Sequence, residues 1–309
     1  MRFLVTGGAG FLGSALANRL AQDGHEVRVL DDLSTGDRAF LSPAVFFTRG
    51  DVTNIPQLWS VLQEVDCVYH LAARVFVAQS ILYPRDYNAT NVGGTVSLME
   101  AMRDAGVRRV VLASSGAVYG QQPRQPVQEG DMPRPDSPYA VSKWAAEQYV
   151  HTIGALWGIE TVALRIFNAY GPHQRLPASH PPIVPHILRQ ALTGGSVVIH
   201  GDGRQTRDFV YLDDVVAALV SAATADNVNR QVINVGSGVE TTVNDLVDRV
   251  ERVIGRRVNR LYNREKSGGV ARLVANISQA QALLGFRPQV SLADGLRLTL
   301  TKDERLGGK

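Results

Sequence analysis

Residues 6–13 read Thr6-Gly7-Gly8-Ala9-Gly10-Phe11-Leu12-Gly13. A short apolar run, residues 2–6, precedes them, and a stretch with apolar residues at helical spacing, residues 11–23, follows. Glycines in this pattern permit a tight turn and let the main chain approach a pyrophosphate, which then rests on the positive helix N-terminus. Alone, Gly-x-Gly-x-x-Gly can equally be a structural turn. Here a second apolar run, residues 26–30, ends in Asp31-Asp32. An acid at that distance accepts hydrogen bonds from the hydroxyls of an adenine ribose and repels a 2′-phosphate. The context predicts a site for NAD rather than NADP, built from Gly7, Gly10, Phe11, Leu12, Gly13, Asp31, Asp32, Ser34 and Thr35.

The same alternation continues outward. Strands are predicted at 45–48, 66–70, 107–113 and 161–166, and helices at 55–63, 91–105 and 139–156. Continuous β-branched runs suit a parallel sheet buried on both faces, and strand–helix alternation implies right-handed crossovers. The fold class is therefore α/β, a doubly wound, Rossmann-like parallel sheet. After about residue 167 the pattern loosens. A loop rich in Pro, Gln and His (172–185) precedes a helix, a strand at 197–200, a strand at 208–211 and a helix at 213–225. Residues 231–235 can return to the sheet, and the remainder reads as mainly helical. The expected organisation is a dinucleotide-binding domain over 1–167, with return segments about 205–235. A smaller, mainly helical substrate lobe would take 168–204 and 236–309, and the tail at 302–309 is expected to fray.

Composition narrows the function classes. With 309 residues, 45% hydrophobic and 20% charged, the chain can bury one large core and a smaller one. No apolar run reaches the length of a bilayer span, and the richest, 215–225, is bounded by Asp213, Asp214 and Asp226. Residues 1–6 run straight into the glycines, so no cleavable signal is expected before them. The single cysteine, Cys67, cannot form an internal disulfide, which suits a cytoplasmic location, and it reads as a small core residue. A net charge of +3 is too small to argue for nucleic acid, and the seven histidines lack metal-ligand spacing. No nucleic acid, membrane or metal is expected.

Tyr139-Ala140-Val141-Ser142-Lys143 sets a phenol and an ammonium on one helix face. An unperturbed tyrosine has a pKa of about 10. The neighbouring lysine and a positive nicotinamide would favour the phenolate and make Tyr139 a base near neutrality. Ser137 can cap this helix and Pro138 suits its first turn. Such a pair alone is usually surface decoration; downstream of a cofactor loop it reads as catalytic. Ser114-Ser115-Gly116-Ala117 follows the run at 109–113, and small polar residues at the end of a parallel strand lie at the ligand crevice. That places Ser115 beside the tyrosine, although Ser and Gly alone also suit a plain turn.

Together these residues resemble the extended short-chain dehydrogenase/reductase family, in its branch of nucleotide-sugar epimerases and dehydratases. Further matches are Gly50-Asp51-Val52, His70-Leu71-Ala72-Ala73, Asn91-Val92-Gly93-Gly94-Thr95 and the run from Arg165 to Pro172. Gly201-Asp202-Gly203, the run from Thr206 to Tyr211, Asn276-Ile277-Ser278 and Leu284-Gly285-Phe286-Arg287-Pro288 extend the likeness almost end to end. The resemblance implies that Asp51 and Val52 hold adenine, that Leu71, Ala72 and Ala73 line the cofactor, and that Asn91 lies in its cleft. It further implies that Asn168 and Arg207 bind a nucleoside diphosphate, for which an arginine fork is suited. The family often has Arg-Glu-Gly-Asp where this chain has Arg264-Glu265-Lys266-Ser267-Gly268-Gly269, so Lys266, or else Arg264, becomes the second cation for the diphosphate.

Chemistry divides the branch. Dehydratases carry Asp-Glu after the catalytic Ser or Thr, and decarboxylases a glutamate; Gly116-Ala117 cannot transfer a proton, which leaves 4-epimerisation. Leu273 falls where side-chain bulk limits the sugar pocket, and Arg175 where glucuronate epimerases keep an arginine for the carboxylate. Those enzymes usually have threonine at the position of Asn168. The expected substrates are UDP-glucose and UDP-galactose, with UDP-glucuronate next and UDP-N-acetylglucosamine a further alternative. A non-catalytic NAD-sensing protein would have lost the Tyr–Lys pair, and Asp31 argues against a reductase exchanging NADPH. The family also implies a homodimer, paired through helices spanning about 86–105 and 139–156.

Overall fold

Consecutive residues of the first strand, β1 (Arg2–Thr6), enter two different cores: Phe3 and Val5 pack into one and Leu4 into the other. This is how a sheet covered on both faces reads in sequence. The computed structural model describes residues 1–177, 181–265 and 269–306. The next strands are β2 (Glu26–Asp31), β3 (Phe46–Arg49), β4 (Cys67–His70), β5 (Arg109–Ser115) and β6 (Glu160–Ile166). They are followed by β7 (Asn168–Tyr170), β8 (Val197–His200), β9 (Thr206–Tyr211) and β10 (Gln231–Val235). The last are β11 (Glu240–Thr242), β12 (Arg260–Asn263) and β13 (Arg272–Leu273). Seven form one parallel sheet in the order β10-β6-β5-β4-β1-β2-β3. The chain winds outward from β1 to β3, then crosses back to β4. The switch point between β1 and β4 is where such sheets open a crevice at their carboxyl ends.

The helices sort by the core they fill. Those up to the centre of the chain are α1 (Phe11–Gln22), α2 (Ile55–Val61), α3 (Val77–Leu82), α4 (Pro84–Tyr87), α5 (Gly94–Ala105) and α6 (Pro138–Trp157). Beyond them come α7 (Ile183–Thr193), α8 (Leu212–Thr224), α9 (Val243–Ile254), α10 (Ser278–Leu284) and α11 (Leu292–Lys302). Leu16 and Leu20 of α1, Val215 and Leu219 of α8 and Ala280 of α10 bury one face of the large sheet. Leu58 of α2, Leu98 and Met102 of α5 and Val150 of α6 bury the other. A separate core, with Tyr170, Leu188, Ile199, Phe209, Leu246 and Leu296, sits under a small sheet in the order β11-β9-β13, with β7 also on β9.

Four expectations need correction. The strand predicted at 107–113 runs on through Ser115, so Ser114 and Ser115 end the strand rather than follow it. The helix predicted at 91–105 is regular only from Gly94, as α5, and Asn88–Gly93 forms a wide π-type turn before it. Residues 206–211 do not return to the large sheet. They pair with β7, β11 and β13 and pass directly into α8, so only α8 and β10 make the return. Nor does the tail fray throughout: Asp303 and Leu306 are buried. The Asp303 carboxylate accepts from the His173 N–H at 2.8 Å and pairs with Arg305 at 2.7 Å. Among the described residues no helix is long and apolar enough to cross a membrane, and no group of His, Cys, Asp or Glu could hold a metal ion.

Candidate active site

A cavity of about 530 Å³ lies at the carboxyl end of the large sheet. Gly7, Gly10, Phe11, Leu12 and Gly13 form part of its wall, and Asp31, Asp32, Ser34 and Thr35 another. Asp51 and Val52 follow, then Leu71, Ala72 and Ala73, with Ser115, Tyr139 and Lys143 beyond. The turn that opens it tolerates only glycine at key points. Gly7 has φ 68°, and a Cβ there would lie 2.6 Å from the Ala72 nitrogen; one on Gly13 would strike the Gly7 carbonyl. Helix α1 begins after Gly10, its N-cap, with no side-chain cap, and Phe11, Leu12 and Gly13 of its first turn line the cavity. The Asp31 carboxylate accepts from the N–H groups of Ala9 at 2.9 Å and Leu33 at 2.8 Å. Burial raises its pKa and these two donors oppose the rise. A carboxylate offers about four acceptor positions, so capacity is left for ribose hydroxyls. Close-packed glycines, a bare helix start and an anchored acid fit a dinucleotide.

Asn91 lies behind this wall. Its Oδ1 accepts from the Arg74 N–H at 2.8 Å, while its Nδ2 donates to the Arg74 carbonyl at 3.0 Å and to Ser142 Oγ at 2.9 Å. It thus fixes the cavity-lining segment at Arg74 to the helix that carries Tyr139. A buried chain of polar groups continues from it. Thr95 Oγ1 donates to the Asn91 carbonyl at 2.6 Å, so it must accept from His70 Nε2 at 2.9 Å. His70 Nδ1 is then the acceptor for Thr6 Oγ1 at 2.7 Å. Burial, with the Lys143 charge, pulls His70 down to about 3, and it stays neutral.

Tyr139 and Lys143 enter from α6, whose start is fixed by Ser137 accepting from the Ala140 N–H at 3.3 Å and by Pro138 in the first turn. Burial pushes the Tyr139 phenol up; the Ser115 hydroxyl beside it opposes the rise, and Tyr87 adds to it. Burial pulls Lys143 down to about 8, and the Glu147 charge opposes that. The lysine alone therefore does not draw the phenol down. A cation brought into the cleft has to supply the rest. One turn beyond Lys143, Glu147 forms a buried bidentate pair with Arg165, at 3.0 and 2.8 Å. Ser114 donates to the same carboxylate, and the Arg165 guanidinium lies 4.7 Å from the Tyr119 ring centre. Sequence reading missed Glu147, although its spacing of four from Lys143 and eight from Tyr139 puts it on their helix face. It also missed Arg74, Phe76, Gln79, Tyr87 and Gln174, which line the cavity.

Asn168, Arg207 and Leu273 do not line this cavity but gather beside it. Asn168 is paired with Phe209 on β9, and Leu273 with Arg207. Leu273 packs in a cluster with Phe167, which does line the cavity. Arg207 Nη1 donates to the carbonyls of Thr206 at 2.7 Å and Val270 at 2.6 Å. Burial lowers its pKa, and Asp136, two residues before α6, opposes this. Lys266 lies outside the described residues, and Arg264 borders a separate surface hollow with Asp202 and Tyr262. Arg175 does line the main cavity, but its Nη1 donates to the Ser34 carbonyl at 3.0 Å, on the side of the β2 acids. A Cβ on Gly116 would lie 3.1 Å from the Phe167 ring, so a side chain there would have to displace that ring.

Residues 3–236 match the model of the NAD dependent epimerase/dehydratase family. The UDP-glucose 4-epimerase of Mycolicibacterium smegmatis is 39% identical over 309 residues, covering 97% of each chain. The crystal structure of UDP-glucose 4-epimerase from Thermotoga maritima with UDP-glucose shares 34% identity and a TM-score of 0.92, over 97% of each chain. That of UDP-glucuronic acid 4-epimerase from Bacillus cereus, with UDP-glucuronic acid and NAD, shares 32% identity and a TM-score of 0.91, over 99% of this chain and 100% of that one. The chain belongs to the NAD-dependent epimerase/dehydratase family. Its activity is that of a nucleotide-sugar 4-epimerase, an isomerase with NAD as its cofactor.

Proposed function

We propose that this epimerase interconverts UDP-glucose and UDP-galactose. The observation that carries the choice of sugar is the Arg175 contact. The arginine that resemblance links to a uronate carboxylate is instead turned toward the β2 acids, where its Nη1 donates to the Ser34 carbonyl. NAD, held by the Gly7–Gly13 turn and Asp31, would accept and return hydride at the sugar C4. Tyr139 takes the proton from the 4-hydroxyl and gives it back, Ser115 holds that hydroxyl's position, and Lys143 keeps positive charge near the phenol. Arg207 and Asn168 hold the nucleoside diphosphate, with Leu273 limiting the sugar pocket. The test is incubation with UDP-glucose, UDP-glucuronate, UDP-N-acetylglucosamine and dTDP-glucose without added cofactor, with products separated by chromatography. UDP-galactose should form with kcat/KM at least about ten-fold above that for the uronate epimer. Conversion of UDP-glucuronate alone would overturn the assignment.

A homodimer is part of the same proposal. Val141, Tyr149 and Leu156 share one face of α6 and are exposed, Leu156 by 74%. Ile81 and Leu82 of the neighbouring α3 are exposed as well. Four helices, α5 and α6 from each copy, would bury that surface. Light scattering at micromolar concentration should give twice the chain mass, and Tyr149→Glu should reduce it. A wild-type monomer would remove the proposal.

A further inference from the structure

The loop after β7 reaches across the cavity to the cofactor side. Arg175 Nη1 meets the Ser34 carbonyl at 3.0 Å, and the His173 ring lies against Phe40 with centres 4.6 Å apart. Ser34 and Phe40 belong to the segment that follows the β2 acids, and that segment is tied in turn to the glycine turn. The Asp37 N–H donates to the Ala9 carbonyl at 2.9 Å, and a Cβ on Gly36 would lie 2.8 Å from the same carbonyl carbon. Behind, the loop is fastened to the end of the chain. The His173 N–H donates to Asp303 at 2.8 Å, and Arg305 donates to the Gln174 carbonyl at 3.0 Å. His173 itself has φ 63°, a conformation that a residue with a Cβ keeps only where its surroundings impose it.

We propose that residues 173–175, fixed from behind by Asp303 and Arg305, form a clasp over the adenosine half of the NAD site and set how long the cofactor stays bound. Ser34, Thr35 and Arg175 line one cavity, so a ligand at the β2 acids has the guanidinium against it. A guanidinium has five N–H donors, and Ser34 takes one; the others suit phosphate or ribose oxygens. Retention matters to an epimerase because the electrons removed from the sugar must return to it. Losing the cofactor between the two half-reactions would strand an oxidised sugar. The inference goes beyond the sugar assignment. It rests on NAD as resident cofactor, so its failure and that of the UDP-glucose reading are distinguishable.

The experiment follows exchange of bound NAD with isotopically labelled NAD in the purified holoenzyme and in Arg175→Ala and Asp303→Asn. Arg175 is exposed, so its variant keeps the fold. Removing one charged hydrogen bond should speed exchange roughly ten-fold. The KM for the UDP-sugar should stay within about two-fold, the scale of an untouched site. Asp303→Asn should act in the same direction, and the double variant should exchange no faster than Arg175→Ala, because both act through one loop. Unchanged exchange in Arg175→Ala, or a raised KM with normal exchange, would overturn the clasp.

Discussion

Tyr139→Phe should keep its bound NAD and lose turnover by at least about 100-fold, the lower end of what a positioned general base contributes. The substitution preserves the ring, its edge-to-face contact with Tyr87 at 6.4 Å and the capped start of α6. It removes only the oxygen beside Ser115. Burial holds that phenol above its ordinary pKa, so the acid–base role proposed for it would depend on charge brought in with the cofactor and on Lys143. Lys143→Met should therefore also slow the reaction and loosen NAD, whereas Ser115→Ala removes one hydrogen bond and should be milder. Turnover by each variant, with NAD content measured after denaturation, gives the ordering. Near-normal epimerisation by Tyr139→Phe with NAD still bound would mean that another residue is the base.

Arg165→Met should be strongly destabilising, costing about 3–5 kcal/mol. Glu147 is fully buried and Arg165 almost so. Removing the arginine takes away both bonds of the bidentate pair and leaves the buried carboxylate with the Ser114 hydrogen bond and the more distant Lys143 charge. The paired replacement Arg165→Met with Glu147→Leu should recover most of the loss, since an apolar pair of similar volume often matches a buried ion pair. Urea unfolding of the four proteins in a double-mutant cycle measures both. A loss below about 1 kcal/mol in Arg165→Met, a surface-pair value, would show that the pair is not the support described.

What could be read without coordinates was local. The glycine turn, the β2 acids and the Tyr–Lys spacing are each short, and each physical requirement falls within one strand–helix junction. The parallel strands were legible because burial on both faces leaves unbroken apolar runs. Helix α3 was not, because Val77, Ile81 and Leu82 point outward and no buried stripe marks the helical period. The destination of 206–211 could not be read either; a strand pattern does not say which sheet accepts it. Arg175 was read as a residue facing the sugar, and only the path of the 171–177 loop shows it against Ser34. The buried Asp303 was hidden by its setting, a charged run at a terminus, which has the composition of a frayed end.

The glycine turn and the β2 acids stand in the first 32 residues, but the 173–175 loop that reaches across to them is fastened by residues 303 and 305. A ribosome emits these two segments roughly 10–50 s apart at ordinary rates of synthesis. During that interval the nascent chain holds half a cradle with no latch, and its seventh parallel strand waits for residue 235. With the clasp proposed above, a cofactor on the glycine turn would be held in full only once residues 303 and 305 have folded back onto 173 and 174.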